Sequence, residues 1–242
     1  MTDGFMKISI LTLFPEMFQG PFDYSIIKRA RDKKLVKINI VNIRDFGIGS
    51  HKVVDDTSYG GGKGMILRVD VLEKAIFKAR SDLKKEKDQK VILLTPTGKT
   101  FNQKIAKELA NLKHLVLVCG HYEGVDERIT NFVDETISIG DFIVTGGEIP
   151  AMLIADAVTR LIKGVLNKSV TDKESFSPCL PPGTAYLEYP QYTKPRIYKN
   201  HKVPKILLEG NHKKIENWRK EASLKNTKKL RPDLLKTPLR SH

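Results

Sequence analysis

The sequence of 242 residues predicts an α/β domain with a mostly parallel sheet, followed by a small, basic helical domain. Two observations carry this prediction. Apolar strand patterns alternate with amphipathic helical patterns through residues 1–165, as in sheets covered by helices on both faces. The run His114–Cys119 is also apolar almost throughout, which is typical of a strand buried on both faces.

The strands are predicted from short apolar or alternating runs, of which Val36–Ile43 alternates most regularly. Proline cannot donate to a sheet ladder, so the strand that begins at Val91 is expected to end before Pro96. The predicted strands are Lys7–Thr12, Val36–Ile43, Val91–Thr95, His114–Cys119, Asp134–Ile139 and Phe142–Val144.

The helices are predicted from apolar residues at helical spacing, such as Ile26, Ile27 and Ala30. In the first domain they are Pro21–Leu35, Val69–Lys84, Phe101–Leu112, Asp126–Phe132 and Glu148–Ile162. Residues 166–195 are rich in Pro, Ser, Thr and Gly, and are predicted to be a linker or an ordered active-site loop. Residues 196–242 form the second domain, with helical patterns at Val203–Leu208, His212–Leu230 and Pro232–Leu235.

The charge balance favours a polyanionic partner. Lys and Arg total 42 against 28 Asp and Glu, a formal charge of +14, and such a field attracts nucleic acid. A general lysine bias is the alternative explanation. The two cysteines form neither a disulfide framework nor a zinc knuckle. No signal-peptide layout and no apolar run of about 18 residues is present, so a cytoplasmic protein without membrane contact is expected, with Met6 a candidate start.

The common cofactor signatures fail on inspection. The run Gly60–Gly64 resembles a phosphate loop, but Thr57 and Gly64 occupy positions that require glycine and a hydroxyl residue. The dinucleotide fingerprint G-x-G-x-x-G, the zinc motif H-E-x-x-H and the nucleophile motif G-x-S-x-G are also missing from the sequence.

Three glycine-bearing turns remain, at Thr95–Gly98, Cys119–Gly124 and Ile139–Glu148. Each follows or separates predicted strands, and ligands of open α/β sheets bind outside the carboxyl ends of strands. Glycine lets the backbone approach a ligand closely, so together these turns predict a backbone-lined pocket suited to an adenine edge and a ribose. Any one of them alone is more often only a turn.

The segment Asp55–Met65 is a second candidate site. Asp55, Tyr59 and Lys63 stand among four glycines, a mixture that can bind a base edge and stack an extruded ring. We predict substrate binding by Asp55, Tyr59, Gly60 and Gly61. A flexible surface loop is the alternative interpretation.

Four blocks resemble the motifs of one known family. They are D-D-T-S-Y-G-G-G-K-G-M at 55–65, C-G-H-Y-E-G-V-D-E-R at 119–128, S-I-G-D-F-I-V-T-G-G-E-I-P-A-M at 138–152 and L-E-Y-P-Q-Y-T-K-P at 187–195. With them the chain resembles the bacterial tRNA (guanine-N1)-methyltransferases, the TrmD family of the SPOUT superfamily, which act on guanosine 37 beside the anticodon. The resemblance implies a deep trefoil knot, a homodimer with active sites at the subunit interface, and S-adenosylmethionine as methyl donor.

On the matching positions, the resemblance implies a cofactor site formed by the three glycine turns. Its residues are Leu94, Thr95, Pro96, Gly120, Tyr122, Glu123, Gly124, Ile139, Gly140, Asp141, Phe142, Ile143, Val144, Gly146 and Gly147. Magnesium dependence is implied by the family alone, since the sequence contains no readable metal-ligand cluster.

Methylation of a guanine ring nitrogen requires a base for its proton and a cation beside O6. The resemblance places the cation at Arg160, for which an ion pair with Asp156 is the alternative role. It places the base at Glu174, where the family usually has aspartate; Asp172 is a rival, and Glu188 matches a further acid nearer the cofactor. A short insertion at 178–185 leaves the geometry of this loop open, and Ser58 replaces a common proline.

The basic C-terminal helices would hold the phosphates of the tRNA anticodon stem-loop, with Trp218 and Arg219 among the contacts. Two other functions remain open. One is another SPOUT methyltransferase acting on ribose or on ribosomal RNA, although a ribose enzyme does not need the loop at 55–65. The other is a non-enzymatic RNA-binding protein, which would be expected to have lost the glycine turns.

Overall fold

The computed structural model describes residues 5–80, 88–179 and 184–235. Within these ranges the chain forms two compact units that divide between Leu166 and Asn167. No helix of the described residues is long and apolar enough to span a membrane.

The first unit is built on a five-stranded parallel sheet, as the sequence predicts. The strands of this unit are β1 (Met6–Thr12), β2 (Val36–Asn42), β3 (Asp55–Thr57), β4 (Met65–Leu67), β5 (Gln89–Thr100), β6 (His114–Cys119) and β7 (Glu135–Ser138). The sheet order is β2-β1-β6-β5-β7, while β3 and β4 form a separate antiparallel hairpin. Two strands distant in sequence, β1 and β6, therefore lie side by side at the sheet centre.

Helices cover both faces of the sheet. They are α1 (Ser25–Asp32), α2 (Val69–Arg80), α3 (Gln103–Leu109) and α4 (Glu148–Thr159). Alternate residues of β6 belong to two different cores: Leu115 and Leu117 pack with α1, α3 and α4, while Val116 and Val118 pack with α2. The unbroken apolar run of β6 follows from this arrangement, because neither of its faces meets water.

Two strand predictions for the first unit are wrong by more than one residue. The strand begun at Val91 does not end at Pro96; β5 continues to Thr100, and its register against β7 shifts between Leu94 and Lys99. The irregularity accommodates the proline, whose missing N–H would break a regular ladder. The predicted strand Phe142–Val144 is an irregular segment instead.

Most helices are shorter than the apolar patterns that predict them. Asn102, for example, caps α3 by accepting a hydrogen bond from the Ile105 N–H at 3.1 Å, so this helix begins later than Phe101. The predicted helix at 126–132 is a 3₁₀ turn, Glu127–Asn131. The end of the predicted helix Val69–Lys84 lies outside the described residues.

The second unit contains α5 (Lys168–Thr171), β8 (Ser177–Cys179), β9 (Thr184–Tyr186), β10 (Ile197–Tyr198), β11 (His201–Lys202) and α6 (His212–Leu230). The predicted linker at 166–195 thus holds a short helix and the antiparallel pair β8–β9. Helix α6 has the predicted bounds, whereas Val203–Leu208 contains only a 3₁₀ turn, Lys205–Leu208.

The buried Thr227 of α6 anchors the preceding segment to this helix. Its hydroxyl oxygen accepts a hydrogen bond from the Leu187 N–H at 2.9 Å and its O–H donates to the Ser223 carbonyl at 2.8 Å. The segment after β9 therefore depends on one buried hydroxyl for a backbone hydrogen bond.

Candidate active site

The three predicted glycine turns meet around one cavity of about 340 Å³ in the first unit. They come from the irregular part of β5 and from the segments that follow β6 and β7. All the residues predicted for the cofactor line this cavity except Gly140 and Asp141. Six further residues, which were not in the predicted cofactor set, also line the cavity: His121, Val125, Ile137, Ser138, Thr145 and Pro150.

Close backbone packing holds the turns together. The Gly147 N–H donates to the Gly120 carbonyl at 2.8 Å. A Cβ atom on Gly147 would lie 2.6 Å from Cys119 Cα, and one on Gly98 would lie 2.5 Å from the Ile137 nitrogen. Both distances are far below ordinary contacts, so glycine is required at these positions for the turns to approach one another.

Gly140 supports the cavity from outside its lining. Its φ of +148° lies in the region that favours glycine, and the Ser138 hydroxyl donates to its carbonyl at 3.0 Å. A Cβ at this position would lie 2.6 Å from the ring of Phe142, which is itself part of the cavity wall. Gly140 therefore shapes the loop that carries Phe142.

The glycine-rich segment after β3 lies directly beside this cavity. At its tip, Tyr59 is 98% exposed, and Gly60 and Gly61 have positive φ with no described atom within 4 Å of the place that a Cβ would take. The hairpin β3–β4 meets the Tyr122–Glu123 turn: the Glu123 N–H donates to the Met65 carbonyl at 3.1 Å. The predicted substrate loop and the predicted cofactor turn are thus adjacent.

A second contact joins the two segments through Tyr122. Burial and a hydrogen bond with Asp55 raise the pKa of the Tyr122 hydroxyl, while Arg44 acts in the opposite direction. Tyr122 has a φ of +61°, a conformation that costs a non-glycine residue about 1–2 kcal/mol. The surrounding contacts must offset this strain, which is common where a backbone is shaped for a ligand.

A buried carboxylate lies behind the cavity wall, and sequence reasoning missed it. Glu148 is only 2% exposed, and its Oε1 accepts a hydrogen bond from the Thr12 hydroxyl at 2.7 Å. Burial and the charge of Glu148 raise the pKa of the neighbouring Cys119 thiol, which therefore stays protonated. The available signal was an acidic residue at the start of a mostly apolar helix.

The residues predicted for catalysis occupy both units. Arg160 is half-buried at the carboxyl end of α4, where its backbone N–H donates to the backbone carbonyl of Asp156 at 3.2 Å. In the second unit Glu174 is half-buried, whereas Asp172 is exposed at the end of α5. The Glu188 carboxylate accepts a hydrogen bond from the Gln191 amide.

Helix α6 presents a strongly basic surface. Trp218 and Arg219 are half-buried and contact rings of their own unit: Trp218 lies 6.4 Å from Tyr192, and Arg219 lies 4.8 Å from the centroid of Tyr189. The exposed cations of the helix are Lys213, Lys214, Lys220, Lys225, Lys228 and Lys229. These lysines are the groups of α6 best placed to meet phosphate.

The chain is similar to a family of known enzymes along nearly its whole length. The profile of the family described as tRNA (Guanine-1)-methyltransferase TrmD matches residues 6–237. The chain is 54% identical to a tRNA (guanine-N(1)-)-methyltransferase of Dictyoglomus turgidum, covering 95% of this chain and 90% of that protein. Proteins of the same name from Carboxydothermus hydrogenoformans and Staphylococcus epidermidis are 53% and 50% identical, over 96% and 95% of this chain and 88% and 91% of theirs.

Proposed function

The chain belongs to the tRNA (guanine-1)-methyltransferase family, and we propose that it transfers a methyl group from S-adenosylmethionine to N1 of guanosine 37 in tRNA. The observation that carries the proposal is the cavity enclosed by the three glycine turns, with the Asp55–Met65 segment beside it. Its volume of about 340 Å³ lies in the range of small-molecule sites.

The residues around the cavity fit the proposed methyl donor. Backbone groups and apolar side chains such as Leu94 and Phe142 suit an adenine ring, and Glu123 in the wall suits a cationic ligand. S-adenosylmethionine supplies a methyl group on a positively charged sulfur. Holding that group in line with the guanine nitrogen accounts for much of the rate gain in such transfers.

The guanine would be presented by the loop that carries Tyr59, Gly60 and Gly61. An exposed aromatic ring can stack on an extruded base, and open space at the glycines lets the backbone approach the base edge. Asp55 would link this loop to the cavity through Tyr122. The adjacency of the two segments supports transfer between ligands bound on either side of the Tyr122–Glu123 turn.

Arg160 would stabilise the negative charge that develops on guanine O6, since its planar guanidinium matches the O6 and N7 acceptors. Glu174 would accept the N1 proton. Replacing Glu174 with Gln should lower the single-turnover rate about 10²–10⁴-fold, whereas Asp172→Asn should change it little. If Asp172→Asn gave the larger loss, the base would be Asp172.

We further propose the knotted topology, a homodimer with active sites at the subunit interface, and action in the cytoplasm, where tRNA is found. The exposed apolar side chains of Ile143, Ile149 and Leu153, on the cavity loop and α4, support a partner surface here. The exposed lysines of α6 support binding of the anticodon stem-loop.

The test uses the full chain with labelled S-adenosylmethionine and two tRNA transcripts that carry guanosine or adenosine at position 37. Label is expected only in the guanosine transcript, and digestion with nuclease and phosphatase should release it as 1-methylguanosine. Equal labelling of both transcripts would refute the proposal, and label on a ribose would favour the related ribose methyltransferases.

No group of three or more His, Cys, Asp or Glu among the described residues could hold a metal ion. Magnesium dependence is therefore proposed from the family without an assigned protein ligand. Repeating the assay with a chelator, and with magnesium restored, measures it directly.

A further inference from the structure

The buried Glu148 carboxylate is the feature of the first unit that the proposed reaction leaves unexplained. Burying a charge is costly unless neighbouring groups compensate. One compensating group is Thr12. Since a carboxylate can only accept, the Thr12 O–H donates to Glu148 Oε1, while the Thr12 oxygen accepts from the Phe14 N–H at 2.9 Å. The hydrogen-bond direction at this oxygen is therefore fixed.

The second carboxylate oxygen faces a histidine. Glu148 Oε2 lies 3.9 Å from His121 Nδ1, and this nitrogen is buried without a hydrogen-bond partner among the described residues. The His121 ring also forms part of the cavity wall. A neutral imidazole carries one N–H and one acceptor nitrogen, while a carboxylate can only accept. The two groups attract when the proton is on Nδ1.

We propose that Glu148 is a positioning residue that holds the proton of neutral His121 on Nδ1, so that Nε2 serves as a hydrogen-bond acceptor for the ligand in the cavity. The ligand would be a sulfonium nucleoside, which offers N–H and O–H donors. The identity of this ligand rests on the proposed function. The position of the proton on His121 does not depend on it.

Glycine at position 146 lets the Glu148 carboxylate and the His121 ring lie close together at the cavity wall. A Cβ on this residue would lie 2.4 Å from Glu148 Oε2 and 2.5 Å from His121 Nδ1. Since Gly146 also lines the cavity, the missing side chain opens the space in which the two groups face each other. The gap of 3.9 Å needs to close by about 1 Å for a normal hydrogen bond, as site geometries commonly do when a ligand binds.

A purely structural role for Glu148 predicts a different result. A carboxylate in the first turn of α4 stabilises the helix through its dipole, whatever the state of His121. The tautomer of His121 therefore separates the two roles. It is read from ring ¹⁵N shifts of the full chain labelled at its 6 histidines, with His121→Gln used to assign the signal.

In the unaltered chain at pH 8, we expect neutral His121 with its proton on Nδ1. In Glu148→Gln, the Thr12 O–H keeps its acceptor only when the amide oxygen faces Thr12, and we expect this orientation, with the amide NH₂ facing Nδ1. The proton should then move to Nε2. The control is Glu127→Gln, which removes the same charge from an exposed side chain and should leave the tautomer unchanged.

Binding of S-adenosylmethionine, measured by calorimetry, is the second measurement. Losing one hydrogen bond from a preorganised acceptor should weaken binding by about tenfold in Glu148→Gln, with no change in Glu127→Gln. The inference is overturned if His121 carries its proton on Nε2 in the unaltered chain, or if Glu148→Gln changes neither tautomer nor affinity.

The two proposals fail in distinguishable ways. If the unaltered chain does not bind S-adenosylmethionine at all, the proposed function fails, while the tautomer still reports on Glu148. If Glu148→Gln does not fold, the spectrum of the unaltered chain alone decides the tautomer.

Discussion

Replacing Gly147 with alanine should separate the two turns that form the cavity wall. The φ of this residue is −75°, which alanine adopts without strain, so any effect comes from the added methyl group. That methyl would lie 2.6 Å from Cys119 Cα and 2.8 Å from the Gly120 nitrogen, whereas ordinary contacts begin at 3.4 Å. Both obstacles are backbone atoms of a close-packed strand end, so the Gly147 loop must move by about 0.8 Å.

Overpacking of this kind costs about 1–3 kcal/mol of unfolding free energy. For a unit of this size, each kcal/mol lowers the melting temperature by roughly 2–4 °C. The movement also strains the hydrogen bond from Gly147 to the Gly120 carbonyl. We therefore expect the dissociation constant for S-adenosylmethionine to rise about tenfold, which corresponds to about 1.4 kcal/mol.

The matched control is Gly20→Ala. Gly20 has a φ of +94° and no described atom within 4 Å of its Cβ position, so this variant should lose about 1–2 kcal/mol through backbone strain alone. Thermal unfolding and calorimetry well below the melting temperature compare the two. If Gly147→Ala bound the cofactor as tightly as the unaltered chain, or if both variants lost affinity equally, the steric argument would be refuted.

Three further predictions follow from single side chains. Thr227→Val should cost about 1–3 kcal/mol, because it leaves the Leu187 N–H without its acceptor; Thr227→Ser should restore most of this in urea unfolding, and equal losses would contradict the assignment. Cys119 should resist iodoacetamide at pH 8 until the chain unfolds, as located by peptide mass spectrometry. Because burial raises the pKa of this thiol above its value in the unfolded chain, its contribution to the free energy of unfolding should be full below about pH 8.5 and should decrease above it. Arg160→Ala should lower the single-turnover rate about 10²–10³-fold with cofactor affinity nearly unchanged, and an unaltered rate would remove Arg160 from the mechanism.

The sequence by itself determined the alternation of strands and helices and the bounds of α6. Patterns within a short stretch of sequence are enough to predict these features. The apolar run of β6 reflects burial on both faces, and Asn211 caps α6 by accepting a hydrogen bond from the Lys214 N–H at 3.1 Å. The glycine turns were also visible, because glycine marks places where a side chain cannot fit.

Only the tertiary structure decided how distant segments meet. The course of β5 past Pro96 depends on its neighbour β7, and the contact of β3–β4 with the Tyr122–Glu123 turn depends on the placement of the hairpin. Thr12 and Glu148 are 136 positions apart, yet they share a buried hydrogen bond. No local pattern encodes such a pair, since it is set by the order of strands in the sheet.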